Sequence, residues 1–312
     1  MSNYILELKT IQSGALRTLI DTLQGMLSDV NFVFYPYYVE ESDSEEDSDS
    51  DEESEESEES EESKNDSEIE KQHKNVSPEE NKKIGGLRIM AVNKNSTILV
   101  HVKLDADKFD YYKCTKKKLV LGISLSSLQK YMKCMSNFDT ITLAVDEDDI
   151  NKLIIIFENV DKKEKKTFRL NLMDLEEEEI YVEPTQFPYS LSLPSQDFHK
   201  YCKDMHGITD KMEIQCTSKK VIVNGKGEQG TYTIELEESV GGLNIDVNTE
   251  EDKIVQGEFE VKHLVLFTKC TTLCNLVTLF IKNNYPLVIK YAVAALGEIK
   301  ICLSPCKPKN CY

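Results

Sequence analysis

Pro194-Ser195-Gln196-Asp197-Phe198-His199-Lys200-Tyr201-Cys202-Lys203-Asp204-Met205 decides how this chain is read. Pro194-Ser195 opens a helix, and Phe198, Tyr201, Cys202 and Met205 fall on one face of it at helical spacing. Lys200 and Lys203 fall on the other face. An earlier stretch has the same layout. With Ser13 laid on Ser195, Leu16, Leu19, Ile20 and Leu23 coincide with Phe198, Tyr201, Cys202 and Met205, and Ser13 is the expected N-cap of its helix. With Leu143 laid on Leu279, Leu128, Tyr131, Lys133 and Cys134 coincide with Leu264, Phe267, Lys269 and Cys270. Ser13 and Leu143 lie 130 residues apart, Ser195 and Leu279 only 84, and the surplus of 46 is close to the span of one acidic tract. The chain therefore reads as two copies of one module, with an insertion in the first.

Outward from the helices, β-patterned runs occupy 5–9, 30–39, 87–92, 96–104, 109–113, 119–123, 140–145, 152–157 and 167–172 in the first copy. In the second they occupy 189–193, 212–216, 221–223, 231–236, 258–261, 277–281, 287–291 and 298–303. Helices are expected at about 13–27, after the cap Ser124, from 195, and at about 262–273. One-sided helices must lie on a sheet, so the fold class is α+β, with two repeated sheet-plus-two-helix modules. The expected organisation is an N-terminal module over 1–171 with an insertion at about 40–84, a connector over 172–186 and a C-terminal module over 187–312. In the connector, Glu176-Glu177-Glu178-Glu179 repel one another and Pro184 biases Glu183 away from helix, which predicts an extended, exposed strap. Ile180 and Val182 are then free to meet a partner.

The net charge of −19 argues against a nucleic-acid binder until its distribution is considered. Residues 40–70 hold 19 acidic residues and one lysine, which leaves −1 for everything else, and such a body can hold separate basic and acidic faces. The tract is Ser, Asp and Glu with almost nothing apolar to bury, so disorder is expected, and its serines precede acidic residues as acidophilic kinases prefer. Nine cysteines and no basic-then-apolar leader in 1–10 point to a reducing, intracellular setting. Cys270/Cys274 and Cys302/Cys306 lack the further ligands of a zinc pattern, and no apolar run is long enough to span a bilayer. No metal, cofactor or membrane is expected. Gly225-Lys226-Gly227-Glu228-Gln229-Gly230 fits a dinucleotide fingerprint, but the alternating 231–236 after it reads as a strand where the fingerprint needs a helix, so it is a hairpin turn. Walker, H-E-x-x-H and nucleophile-elbow patterns are missing from the sequence, and a non-enzyme is expected.

Lys130/Lys133, Lys200/Lys203 and Lys262/Lys269 recur on helices that the repeat makes equivalent. Lysines without interleaved aromatics suit phosphate contact rather than base reading. At this point the sequence resembles proliferating cell nuclear antigen, the eukaryotic DNA sliding clamp. The resemblance rests on Gly86-Leu87-Arg88-Ile89-Met90-Ala91, Phe109-Asp110-Tyr111-Tyr112-Lys113-Cys114, Leu172-Met173-Asp174-Leu175, Pro194-Ser195 and Phe267-Thr268-Lys269, and spans nearly the whole chain outside the insertion.

The resemblance implies a DNA-clamp fold and a head-to-tail homotrimeric ring around double-stranded DNA, with helices lining the channel. Its DNA-facing positions are Arg17, Lys130, Lys133, Lys200, Lys203, Lys262 and Lys269; Gln24 and Gly207 replace residues that are often basic. A partner-peptide pocket is implied at Val92, Ile180, Val182, Pro286, Ser304 and Pro305, with Cys302 where an aromatic residue is common. Phe168 is implied on a strand that pairs across subunits with 231–236. DNA polymerase, clamp loader and other replication or repair proteins are the implied partners, docking through connector-bound peptides, and a nucleus is the implied location. The Lys/Asn/Ile-rich body also suits a large DNA virus replicating in its host cell. The competing readings are an acidic interaction protein working through 40–70 and a checkpoint-type clamp subunit outside polymerase processivity; the paired helix lysines argue against the first.

Overall fold

In a computed structural model that describes residues 3–39, 83–136, 139–177, 180–249 and 254–306, the two halves carry the same elements in the same order. The first half runs β1 (Tyr4–Thr10), α1 (Ser13–Met26), β2 (Asp29–Val39), β3 (Lys83–Val92), β4 (Ile98–Asp105), β5 (Tyr111–Cys114), β6 (Leu119–Ser124), α2 (Leu125–Met132), β7 (Thr140–Asp146), β8 (Lys152–Asn159) and β9 (Glu164–Asn171). The second runs β10 (Tyr189–Pro194), α3 (Ser195–His206), β11 (Lys211–Cys216), β12 (Lys220–Lys226), β13 (Thr231–Glu237), β14 (Asn244–Val247), β15 (Val255–Glu260), α4 (Val261–Phe267), β16 (Leu276–Ile281), β17 (Leu287–Val293) and β18 (Gly297–Leu303). The expected disorder of the acidic tract falls outside the described residues.

The sheets repeat as well. Strands β5-β1-β7-β8-β9 form one sheet of the first half, and β14-β10-β16-β17-β18 stand in the same order in the second. The sets β6-β2-β3-β4 and β15-β11-β12-β13 are likewise equivalent. The halves are fused by one antiparallel seam, in which β18 pairs with β4 from Gly297↔Leu104 to Leu303↔Ile98. Each helix buries its apolar stripe: Leu16, Leu19, Ile20 and Leu23 on α1, Leu125, Leu128 and Met132 on α2, Phe198, Cys202 and Met205 on α3, and Val261, Leu264 and Phe267 on α4. The helices lie side by side in the order α2-α1-α4-α3. At the central contact Gly25 faces Leu266, whose Cδ1 would lie 2.7 Å from a Cβ at that position.

Several local expectations change. Gln12 is the residue before α1, and Ser13 is a buried helical residue rather than the cap. Its counterpart Ser195 donates its hydroxyl to Cys274 O at 2.7 Å, so this position ties a helix start to the loop before β16. The fourth helix is α-helical only to Phe267 and tightens into a 3-10 turn over Thr268–Thr272. Thr268 Oγ1 bonds back to Val265 O at 2.7 Å, a side-chain bond that competes with the helical ladder. The short strand β14, where alternation runs for only four residues, and the 3-10 turn Ala106–Lys108 were not expected. Strand β9 begins at Glu164 rather than 167, in a charged stretch where Lys165 and Lys166 hide the alternation. Between β12 and β13, Gly227 N donates to Gly230 O at 2.9 Å, a hairpin with a strand rather than a helix after it. No helix among the described residues is long and apolar enough to cross a membrane.

Candidate functional site: helix layer, connector and open edges

The apolar stripes face the sheets, so the remaining helix faces form one outward layer. Lys130 of α2, Lys133 just after it, Lys200 and Lys203 of α3, Lys262 of α4 and Lys269 of the following 3-10 turn are exposed there, and Arg17 of α1 is half-buried. Lys262 pairs with Glu260 at 2.7 Å. That bond holds the Glu260 carboxyl below its usual range and raises the Lys262 ammonium. The other six basic residues make no ion pair among the described residues. Asp21 is engaged by Gln129 Nε2 at 2.9 Å across the α1–α2 contact.

The segment after β9 is pinned at its start. Met173 N donates to Gly122 O at 2.8 Å, and a Cβ on Gly122 would lie 2.1 Å from Met173 O. Asn31 Nδ2 donates to Glu176 O at 3.1 Å, and Glu177 pairs with Lys118. At the far end Thr185 Oγ1 lies 3.0 Å from Tyr285 Oη, and the Phe187 ring packs on Phe280 and Tyr285 at 5.6 and 5.5 Å. Between these anchors Ile180 is half-buried, while Tyr181 is 85% and Val182 45% exposed. The C-terminal segment repeats the first contact. Cys306 N donates to Glu258 O at 2.7 Å, and Glu258 is the counterpart of Gly122 in the second overlay.

Val92, Pro286, Ser304 and Pro305 gather at neighbouring strand ends. Val92 pairs with Leu99, Leu99 with Cys302, and Cys302 with Val288. Ser304 N donates to Thr97 O at 2.9 Å, and the Leu287↔Leu303 pair brings Pro286 beside Ser304. Ile180 and Val182 stay on the connector. Burial pushes the Cys302 thiol up to about 11, so it presents a neutral, weakly polar surface. Leu99 and Val288 belong to this row but were not singled out from sequence; the alternation of β4 and β17 was the available signal.

Strands β9 and β13 end their sheets. They are the counterparts of β18 and β4, the two strands that form the internal seam. In that seam Val100, Val102, Leu104, Ile299 and Ile301 are fully buried at 0% exposure. On the open edges Phe168, Tyr232, Ile234 and Leu236 are only partly covered. Phe168 packs on Tyr131 at 5.2 Å and Phe157 at 5.6 Å. The outward residues are opposite in charge: Lys165 and Arg169 on β9, Glu235 and Glu237 on β13. Among the described residues no group of three or more His, Cys, Asp or Glu side chains is placed to hold a metal.

Two equivalent sheet-and-helix modules, fused edge to edge under one layer of helices, define the DNA-clamp fold. Residues 74–179 match the model of the proliferating cell nuclear antigen N-terminal domain and 181–306 that of its C-terminal domain. The chain belongs to the proliferating cell nuclear antigen family. It is also similar to a probable DNA polymerase sliding clamp of Acanthamoeba polyphaga mimivirus, with 30% identity over 306 residues. The alignment covers 97% of this chain and 62% of that protein, so the chain spans about three-fifths of the curated relative's length.

Proposed function

We propose that this chain is a ring-forming DNA sliding clamp, a processivity factor rather than an enzyme, which encircles duplex DNA and tethers a DNA polymerase. The pairing of open edges carries the reading. Strands β9 and β13 are the unpaired counterparts of β18 and β4. If β9 of one copy joins β13 of the next as β18 joins β4, the partly covered Phe168, Tyr232, Ile234 and Leu236 become buried, and a basic edge with Arg169 meets an acidic one with Glu237, while Lys165 and Glu235 already pair with Glu158 and Lys220. The same edges then recur around a closed, head-to-tail ring, with the homotrimer as the family's form.

The outward helix layer becomes the channel wall. Arg17, Lys130, Lys133, Lys200, Lys203 and Lys269 contact phosphates loosely and release counterions, so binding is independent of sequence and sliding meets little resistance. Lys262 contributes less, because Glu260 already holds it. The organisation proposed is a module over 1–171, a connector over 172–186 and a module over 187–312. Polymerase, loader and repair proteins dock apolar–aromatic peptides on Val92, Ile180, Val182, Pro286, Ser304 and Pro305. The work takes place at an intracellular replication site, in a nucleus or at a viral site in the host cell.

Retention on DNA tests this reading. The loaded protein stays on a nicked circle and slips off once the circle is linearised, and its native mass is a multiple of one chain. Equal retention on both forms, or a monomeric mass, overturns it.

A further inference from the structure

The outer face of the seam carries a charge pattern beside the apolar row. Directly paired residues of an antiparallel sheet share a face, and alternate rows along the strands lie roughly 7 Å apart. One outer row is Val92–Leu99–Cys302–Val288–Phe280. The next is Met90–His101–Lys300–Lys290–Thr278, and beyond it Arg88–Lys103–Glu298–Ala292. Glu298 bonds Lys300 at 2.8 Å and lies 4.0 Å from Lys290; Asp105 lies 3.2 Å from Arg88 and 3.5 Å from Lys103. Four cations thus face two carboxylates, a local surplus of two positive charges in a chain whose net charge is −19. Burial lowers the pKa of His101, and Lys300 lowers it further while Glu298 opposes. Lys290 Nζ stands 5.8 Å from the Phe280 ring centroid, at the border between the apolar and basic rows.

We infer that this face selects partner peptides whose apolar–aromatic residues lie along Val92, Leu99 and Cys302, over the buried Val288, and whose flank is acidic, with its carboxylates over Lys290 and Lys300. The inference rests on the reading of the Val92 row as the partner-docking site. It adds a charge specificity that the pocket residues alone do not supply. A carboxylate one or two residues from the apolar core reaches the lysine row, because the rows are adjacent. A basic flank meets Lys290, Lys300 and Lys103 instead and is repelled.

Two fluorescein-labelled peptides test this on the full-length protein. They share a core of one leucine and two phenylalanines and differ only in flanks of glutamate or lysine. Fluorescence anisotropy at about 0.1 M salt is expected to show the glutamate form binding about tenfold tighter, as several exposed ion pairs acting together allow. The gap should close at about 1 M salt, where the screening length falls to roughly 3 Å. Lys290→Glu with Lys300→Glu should invert the preference, and Lys290→Gln with Lys300→Gln should abolish it; a melting curve on each variant checks that it is folded. Equal binding of both peptides, or a preference for lysine flanks, overturns the acidic-flank inference while leaving the docking site intact. Failure of both peptides to bind, or unchanged binding in Leu99→Asp, removes the docking reading itself and the inference with it.

Discussion

Gly122 holds the start of the connector through what it lacks. Its backbone carbonyl accepts from Met173 N at 2.8 Å, and any side chain would run into Met173 O. Gly122→Ala must therefore push the connector off β6, and overpacking of this kind costs about 1–3 kcal/mol. The urea midpoint should fall accordingly, whereas Gly230→Ala, which meets nothing within 4 Å, should leave it unchanged. The cysteines sort by burial in the same way. Burial pushes Cys216 and Cys270 up to about 12 and Cys202 higher still, while Cys134 is exposed. Thiolate is the reactive form. At pH 8 a thiol reagent should modify Cys134 in the native protein, and peptide mapping should find Cys202, Cys216 and Cys270 modified only after denaturation.

At the scale of elements, ion pairs stitch strand to strand and helix to strand. Glu158 of β8 is bonded by Lys165 of β9 at 3.0 Å and by Lys9 of β1 at 3.3 Å, and Glu260 of β15 by Lys262 of α4. The Lys165 bond holds Glu158, and the Lys262 bond holds Glu260, below the carboxyl's ordinary 4.5. A folded-state carboxyl with a depressed pKa stabilises the fold above the unfolded value, and that stability is lost as pH falls through the folded value. In the melting temperature, His101 and His263, both lowered from 6.5 by burial, should start the loss as pH falls below about 6.5. The carboxylates should steepen it below about pH 4.5, and Glu158→Gln should shallow that lower part alone. The sequence made the elements legible where periodicity was strong. The α1 and α3 stripes, the β12–β13 hairpin and the repeat could all be read from residue spacing. It did not single out β14, whose alternation runs for only four residues, or the early end of α4, where the Thr268 hydroxyl bonds back onto the ladder. Of the candidate site, the helix lysines were legible because repetition marks them. Leu99 and Val288 were not, since only the β3-β4-β18-β17 register places them beside Val92 and Cys302.

At the scale of the whole molecule, charge and edges make separable demands. If Lys130, Lys133, Lys200 and Lys203 each neutralise a phosphate, changing all four to Ala should lower the slope of log affinity against log salt by about 0.9 for each contact. Native mass should stay the same, because these side chains are exposed and unpaired among the described residues. The edges should behave in the opposite way. Phe168 and Ile234 are partly covered on strands whose internal counterparts bury their inward residues completely, and the proposed ring would cover both. In the proposed ring, Ile234→Lys places a charge where the next copy's β9 would seat, and a buried charge without a partner is strongly unfavourable. The variant should remain folded, with a melting temperature lowered by the loss of the assembly's stabilisation, because β13 is an edge within its own chain. Its mass by light scattering should fall to that of one chain, and it should no longer be retained on nicked circles even though every helix lysine is intact. An Ile234→Lys protein that keeps the wild-type mass would place the assembly contact elsewhere, and one that unfolds would make β13 part of the core rather than an open edge.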